Sequence, residues 1–330
     1  MISSFIFFVN NNSGDNMKII LGYVSISLTL GITTSSTITL TKFNSNKDIE
    51  HIYKVINKNL DCLKENIIYN IKNEVKFYRM TSKLIPLATL EDFTFDYITP
   101  FLNKYKDIGV LANSNNIRID MHPDQYCVLN STNPKTVENS FRILNYHRKI
   151  LKALNFNSPK LILHVGSSQG GKKASMTRFI NNFNKLDDEL KKMIVLENDD
   201  KVFNVADTLY LCQKLKIPMV FDYHHHLCNN CGLDIKKYLS DIIKTWDGEY
   251  WPVKMHFSSP KSKLKKEYRS HHDYIDVDKF NDFIQILKEF KHDIYIMLEA
   301  KQKDEALFRL VRALKYKCNY QFVNDTSFLV

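Results

Sequence analysis

Glycine and proline are scarce in this chain, nine and eight among 330 residues. The glycines do not form the phosphate-cradling turn that an open doubly wound sheet carries after its first strand; Gly22 and Gly31 do not fit that spacing. Cysteine is also too sparse and scattered for a disulfide framework: Cys62, Cys127, Cys212, Cys228, Cys231 and Cys318 point to a reducing compartment. Cys228 and Cys231 form a lone CxxC without the second pair of a zinc site and read as loop thiols. No apolar run is long enough to span a bilayer; Ile2 to Val9 is too short and lacks the basic region and cleavage pattern of a signal peptide. The expectation is a soluble, intracellular protein with no membrane partner. Residues 1–16 are expected to be a flexible extension or an over-long gene start upstream of Met17, and residues 17–330 a single domain. Short-period repeats are absent.

What is present begins with charge. Forty-six basic against thirty-six acidic residues give a formal +10 and a pI near 9.1, which favours a polyanionic partner, nucleic acid first. A hydrophobic content of 44% with 25% charged residues is that of a globular protein.

Eight short apolar runs, each followed by a helix-like stretch, set the fold class. The predicted strands are Lys18–Tyr23, Lys76–Met80, Ile117–Met121, Lys160–Val165, Met193–Leu196, Pro218–Phe221, Val253–Phe257 and Ile294–Leu298. Helices are predicted across roughly 47–72, 95–114, 135–154, 172–190, 203–216, 234–246, 278–290 and 304–317. Such runs are what parallel strands buried on both faces look like. Eightfold alternation of strand and helix predicts a (β/α)8 TIM barrel, with its chemistry at the C-terminal face of the strands.

The runs end near Tyr23, Arg79, His122, His164, Glu197, Asp222, Lys254 with His256, and Glu299. Imidazoles and carboxylates gathered at one face suit divalent metals. Glu197, in Leu196-Glu197-Asn198-Asp199, sits where a carboxylate can bridge two ions about 3.5–4 Å apart. Asp222 precedes His224-His225-His226; if the run is extended, alternate imidazoles face opposite ways, and His225 is the one placed to turn back over the mouth. Glu299 closes the ring in an apolar run where an unpaired charge is costly. Lys254, inward with His256, must lose its proton, turn away, be modified into an anion, or form a salt bridge to Glu197 or Glu299. In His122-Pro123-Asp124-Gln125-Tyr126, a stiff loop presents an amide and an aromatic ring able to fill a gap in a base stack.

With these residues assembled, the chain resembles the UV-damage endonuclease family from about Met17 to Ala313. The resemblance rests on Leu21-Gly22-Tyr23, Phe77-Tyr78-Arg79-Met80-Thr81-Ser82, His122-Pro123-x-Gln125-Tyr126, Leu163-His164-Val165-Gly166, Leu196-Glu197-Asn198-Asp199, Asp222-x-x-His225, Lys254-x-His256, His271 and Glu299-Ala300-Lys301, in family order. It implies a metal-dependent barrel that nicks duplex DNA 5′ to ultraviolet photoproducts, as a monomer, using two or three divalent ions, manganese first. Glu197, Asp222, His256 and Glu299 would hold one ion; His164, His225 and His271 would extend the cluster, and His122 would reach a further one. Glu197 and Lys254 would be the catalytic residues. Gln125 and Tyr126 would probe the lesion, with Tyr23 lining the same face. Two positions depart from the family's pattern, both expected at the mouth: Leu90 stands where a histidine is common, and Ser27 where an asparagine is common. A metal-dependent sugar isomerase or epimerase on a similar barrel, and a damage-binding module without catalysis, are the alternative readings; neither the +10 charge nor the Gln125–Tyr126 loop suits the first.

Overall fold

The computed structural model describes residues 16–46, 48–91 and 93–330, so the anticipated N-terminal extension lies, but for Asn16, outside the described residues. Eight parallel strands follow one another around a closed ring: β1 (Lys18–Ser25), β2 (Phe77–Met80), β3 (Arg118–Met121), β4 (Leu161–His164), β5 (Ile194–Glu197), β6 (Met219–Asp222), β7 (Val253–Phe257) and β8 (Ile294–Leu298). β1 pairs with both β8 and β2, which closes the ring into the TIM barrel. A hairpin of β9 (Gln321–Asn324) and β10 (Ser327–Leu329) adds antiparallel to the first half of β1; the sequence reading did not anticipate it.

Outside the ring lie α1 (Leu40–Asn46), α2 (Ile49–Lys72), α3 (Leu102–Ser114), α4 (Pro134–Leu154), α5 (Lys172–Asn184), α6 (Asp188–Met193), α7 (Val205–Leu215), α8 (Tyr223–Cys228), α9 (Lys236–Lys244), α10 (Val277–Lys288) and α11 (Lys303–Lys317). Their residues fix their limits. Asp48 caps α2 by accepting from His51 N (3.1 Å), and Ile52, Ile56, Leu60, Leu63 and Ile67 recur every three or four residues on its buried face. Asn204 and Asp207 form a capping box at the start of α7. At Gly109 on α3, any Cβ would collide with the Leu154 carbonyl at the end of α4, so glycine sets how closely these two helices pack. Among the described residues no helix is long and apolar enough to cross a membrane.

Alternation along each strand separates two environments. Outward residues such as Ile19, Leu21, Met255, Phe257, Ile296 and Leu298 pack under the helices in one large core. Burying each large apolar side chain contributes about 1.5–3 kcal/mol. The barrel interior holds a smaller apolar cluster that includes Ile20, Val24, Phe77, Tyr295 and Met297. Fully buried Arg118, Asp120 and Lys254 join that interior, on β3 and β7, beneath His122, just past β3, and His256, near the end of β7.

Candidate metal centre

Glu197 ends β5 with its carboxylate buried, and four imidazoles converge on it. His256 Nδ1 lies 3.0 Å from Oε1 and His225 Nδ1 3.4 Å from the same oxygen. His122 Nε2 lies 3.3 Å from Oε2, and His164 Nε2 3.7 Å from it. Glu299, past the end of β8, meets His256 at 3.2 Å and His271 at 3.7 Å. Arg79, at the end of β2, pairs with Glu299. Three groups able to hold an ion result, all sharing Glu197: with His122 and His164, with Asp222 and His225, and with His256 and Glu299; within each, the ligand atoms lie within 4.8 Å of one another.

The donor set fits divalent cations on two grounds. Imidazole nitrogens and carboxylate oxygens are the ligands such ions take in hydrolytic barrels. In addition, Asp222 Oδ2, His256 Nε2 and His164 Nδ1 are buried with no hydrogen-bond partner among the described residues, which is costly for groups with nothing to bind.

Electrostatics keep the carboxylates ionised. Burial pushes Glu197 up, but His256, His164 and the hydrogen bonds from His122 and His225 outweigh it and hold the carboxyl well below its usual range. Glu299 behaves alike: burial opposes ionisation, while Arg79 and His256 hold it well down. His225, despite burial, is raised to about 11 by Asp222, Glu197 and Glu299. The carboxylates are therefore ionised and balanced by protonated His225 and by Arg79, so a cation binding here would displace the His225 proton.

The His224-His225-His226 run is helical, not extended. Asp222 caps α8 by accepting from His225 N (2.7 Å), and the helical turn sends only His225 to Glu197 while His224 and His226 are buried elsewhere. Asn198 holds this corner: its side-chain amide donates to the Asp222 carbonyl (3.0 Å) and accepts from Asp222 N (2.9 Å), and its backbone carbonyl accepts from His225 Nδ1 (2.9 Å).

The structure places several of these residues differently, and for Lys254 it decides between the alternatives. Tyr23 does not line the mouth; Gly22 and Val24 beside it face the other side of the strand, so Tyr23 points outward, fully buried, its hydroxyl donating to Asn70 on α2 (2.6 Å). Lys254 makes no ion pair with Glu197 or Glu299; its Nζ lies 3.1 Å from Asp120 Oδ2, one layer deeper. Ser27 is buried, donating to Asp304 (2.7 Å), and Leu90 lines a groove beside the mouth with Phe93 and Tyr126. Gln125 lines the mouth cavity itself, about 740 Å³, together with Arg79, His122, His164, Lys201 and Lys303, whereas Tyr126 is exposed and faces the adjoining groove. Asp120 is the contributor most easily missed; a charged residue facing inward on a short buried strand is the signal that marks it.

A family model, that of the UV-endonuclease UvdE, matches residues 19–327. The chain belongs to the UV-endonuclease family. The UV DNA damage endonuclease of Bacillus cereus is 40% identical over 303 residues, covering 90% of this chain and 95% of the relative; that of Bacillus anthracis is 39% identical over 298 residues, covering 89% and 93%. The crystal structure of SacUVDE superposes with a TM-score of 0.82 at 36% identity, covering 90% of this chain and 98% of that one. Endonuclease IV from Thermus thermophilus, at 12% identity and a TM-score of 0.52 over 78% and 95% of the two chains, shares the barrel alone. As a member of the UV-endonuclease family the chain is an endonuclease of DNA repair.

Proposed function

We propose that this UV-endonuclease family member nicks duplex DNA on the 5′ side of ultraviolet photoproducts and similar distorting lesions, leaving 3′-hydroxyl and 5′-phosphate ends. The convergence of three histidine–carboxylate groups on Glu197 carries this reading, because one bridging carboxylate between ions suits in-line displacement at phosphorus. Residues 17–330 would act as one unit, and as a monomer.

Two or three divalent ions, manganese first for mixed imidazole and carboxylate ligands, would supply Lewis-acid stabilisation of phosphate charge and activation of water. Glu197, Asp222, His256 and Glu299 would hold one, His164, His225 and His271 would extend the cluster, and His122 would reach outward. Arg79, Lys201 and Lys303 make the cavity wall cationic, which draws a phosphodiester into it. Gln125 at the cavity rim and Tyr126 beside it read the distorted stack, and Lys254 supports the centre from below.

A supercoiled plasmid irradiated with ultraviolet light tests the proposal. Nicking should require added manganese, stop with chelator, and spare the undamaged plasmid, and end-labelling should show 3′-hydroxyl termini on the 5′ side of dimers. Equal cleavage of both plasmids, or cleavage in excess chelator, would overturn it.

A further inference from the structure

The segment between β7 and α10 carries Lys261, Lys263, Lys265, Lys266 and Arg269 within nine residues, at the barrel face that holds the metal centre. It is folded on itself. Its ends are tied by the Pro260–His271 bridge, by Lys261 N donating to the Ser270 carbonyl (2.6 Å) and by His272 N donating to Ser259 (2.8 Å). Inside, the Leu264 carbonyl accepts from Glu267 N (2.8 Å) and Tyr268 N (2.9 Å). Ser262 joins Glu267 (2.8 Å) and caps Leu264 N (3.1 Å). The root reaches the site through His271, 3.7 Å from Glu299, and packs beside it on α8, where the Tyr268 ring lies 5.7 Å from that of His224.

The charges divide unequally. Lys261 is paired with Glu267 (2.9 Å) and Arg269 with Asp200 (3.5 Å). Lys263, Lys265 and Lys266 are exposed and have no partner among the described residues. Between them Leu264 stands 58% exposed on a turn that is already ordered. An apolar tip held rigidly among unpaired ammonium groups gains nothing in water. It matches a surface with two rows of negative charge and an apolar floor between them, which is a groove of duplex DNA.

We infer that the loop from Pro260 to His271 is a DNA-gripping arm, its three lysines on backbone phosphates and Leu264 inserted as a wedge between base steps beside the nicking site. The inference rests on the functional reading above and adds a second contact, separate from Gln125 and Tyr126. Because the arm's root contributes His271, the grip on the duplex is joined directly to the metal centre.

Anisotropy titrations of a dimer-bearing duplex and its undamaged counterpart, between 50 and 200 mM salt, test it on the full chain. Replacing Lys263, Lys265 and Lys266 together by alanine should weaken binding to both duplexes and make the log–log salt slope shallower by about 0.9 for each lysine that meets a phosphate. Leu264→Ala should leave the slope unchanged and lower affinity for the lesion duplex about ten-fold, the loss expected for removing most of a buried leucine side chain, with Leu264→Met restoring it. Single Lys265→Glu supplies the charge test should the triple variant misfold. Wild-type slope and affinity in the lysine variants, or wild-type lesion binding in Leu264→Ala, would overturn the arm. A wild-type chain that fails to nick the lesion duplex with manganese overturns the proposed function instead, so the two failures are distinguishable.

Discussion

Lys254 Nζ lies 3.1 Å from Asp120 Oδ2, a contact that crosses the barrel from β7 to β3 with both side chains fully buried. The same carboxylate oxygen accepts from Arg118 Nε at 3.2 Å, so two cations share one anion in the layer beneath the metal centre. Burial raises Asp120, yet Lys254 and Arg118 together hold it below its usual range. Lys254 is lowered to about 8, first by burial and then by Arg118 and Arg79, against the pull of Asp120.

Asp120→Asn should therefore be far more damaging than Lys254→Met. The first strands two buried cations, a loss of about 3–5 kcal/mol for a broken buried pair; the second removes a cation that burial already disfavours. The Lys254 value in the folded chain lies below its unfolded value near 10.4, so its contribution to stability is complete above the unfolded value and is lost as pH falls toward 8. Lys254→Met should gain on the wild type across that window. Urea unfolding at pH 8, 9 and 10 checks both statements; equal losses in the two variants, or parallel pH curves, would discredit the arrangement.

Glu197→Gln should abolish manganese-dependent nicking while leaving the barrel folded. Glu197 belongs to all three candidate ion groups, so removing its charge weakens each at once. An ion that binds the folded chain stabilises it by about 2.7 kcal/mol at one hundred times its Kd. Manganese should thus raise the wild-type Tm and barely move that of the variant. A variant that is stabilised by manganese and nicks at the wild-type rate would remove Glu197 from the centre.

His147 gives a pH prediction away from the mouth. On α4 it is buried, its Nδ1 donating to the Ile143 carbonyl (2.7 Å), and its Nε2 has no partner among the described residues. Burial drives it down to about 4. Because the folded value lies below the unfolded one near 6.5, the stability that His147 contributes is present above 6.5 and is lost as pH falls toward 4. By the conversion of pKa to free energy the loss amounts to about 3 kcal/mol. His147→Leu, which cannot charge, should close its stability gap with the wild type between pH 6.5 and 4. A constant gap in urea midpoints across that range would contradict the assignment.

The strands and their order were legible because burial on both faces leaves uninterrupted apolar runs, and the site because most of those runs ended in a histidine, an aspartate or a glutamate. What escaped depended on phase or on distant partners. Tyr23 has the right position along the chain and the wrong face of β1, a one-residue matter that a short apolar run does not reveal. Asp222 was read as a ligand and is also the cap that turns the histidine run into α8, so helical rather than alternating geometry selects His225. The partner of Lys254 lies 134 residues away and could not be paired from local pattern. The β9–β10 hairpin is short and its first strand only partly covered, so its apolar residues, Phe322, Val323, Phe328 and Leu329, lie outside the eightfold alternation of strand and helix.

Gln125 and Tyr126 occupy one loop tip but face different spaces, Gln125 the mouth cavity and Tyr126 the groove it shares with Leu90 and Phe93. Their substitutions should therefore separate. Tyr126 is 68% exposed, so Tyr126→Ala should scarcely change stability, yet it removes a ring whose stacking on an unpaired base is worth about 1–3 kcal/mol. Lesion preference should drop about ten-fold. Gln125→Ala, at the cavity edge, should reduce the nicking rate at saturating DNA more than it reduces affinity, because its amide lines the cavity proposed to take the phosphodiester. Neither residue belongs to the ion groups, so metal content should match the wild type in both variants. Measuring Tm, metal content, and cleavage of damaged against undamaged duplex on the same preparations decides the matter. If Tyr126 only packs against the rim, the Tm falls and the preference stays; if lesion reading lies wholly in the arm around Leu264, both variants keep the wild-type ratio.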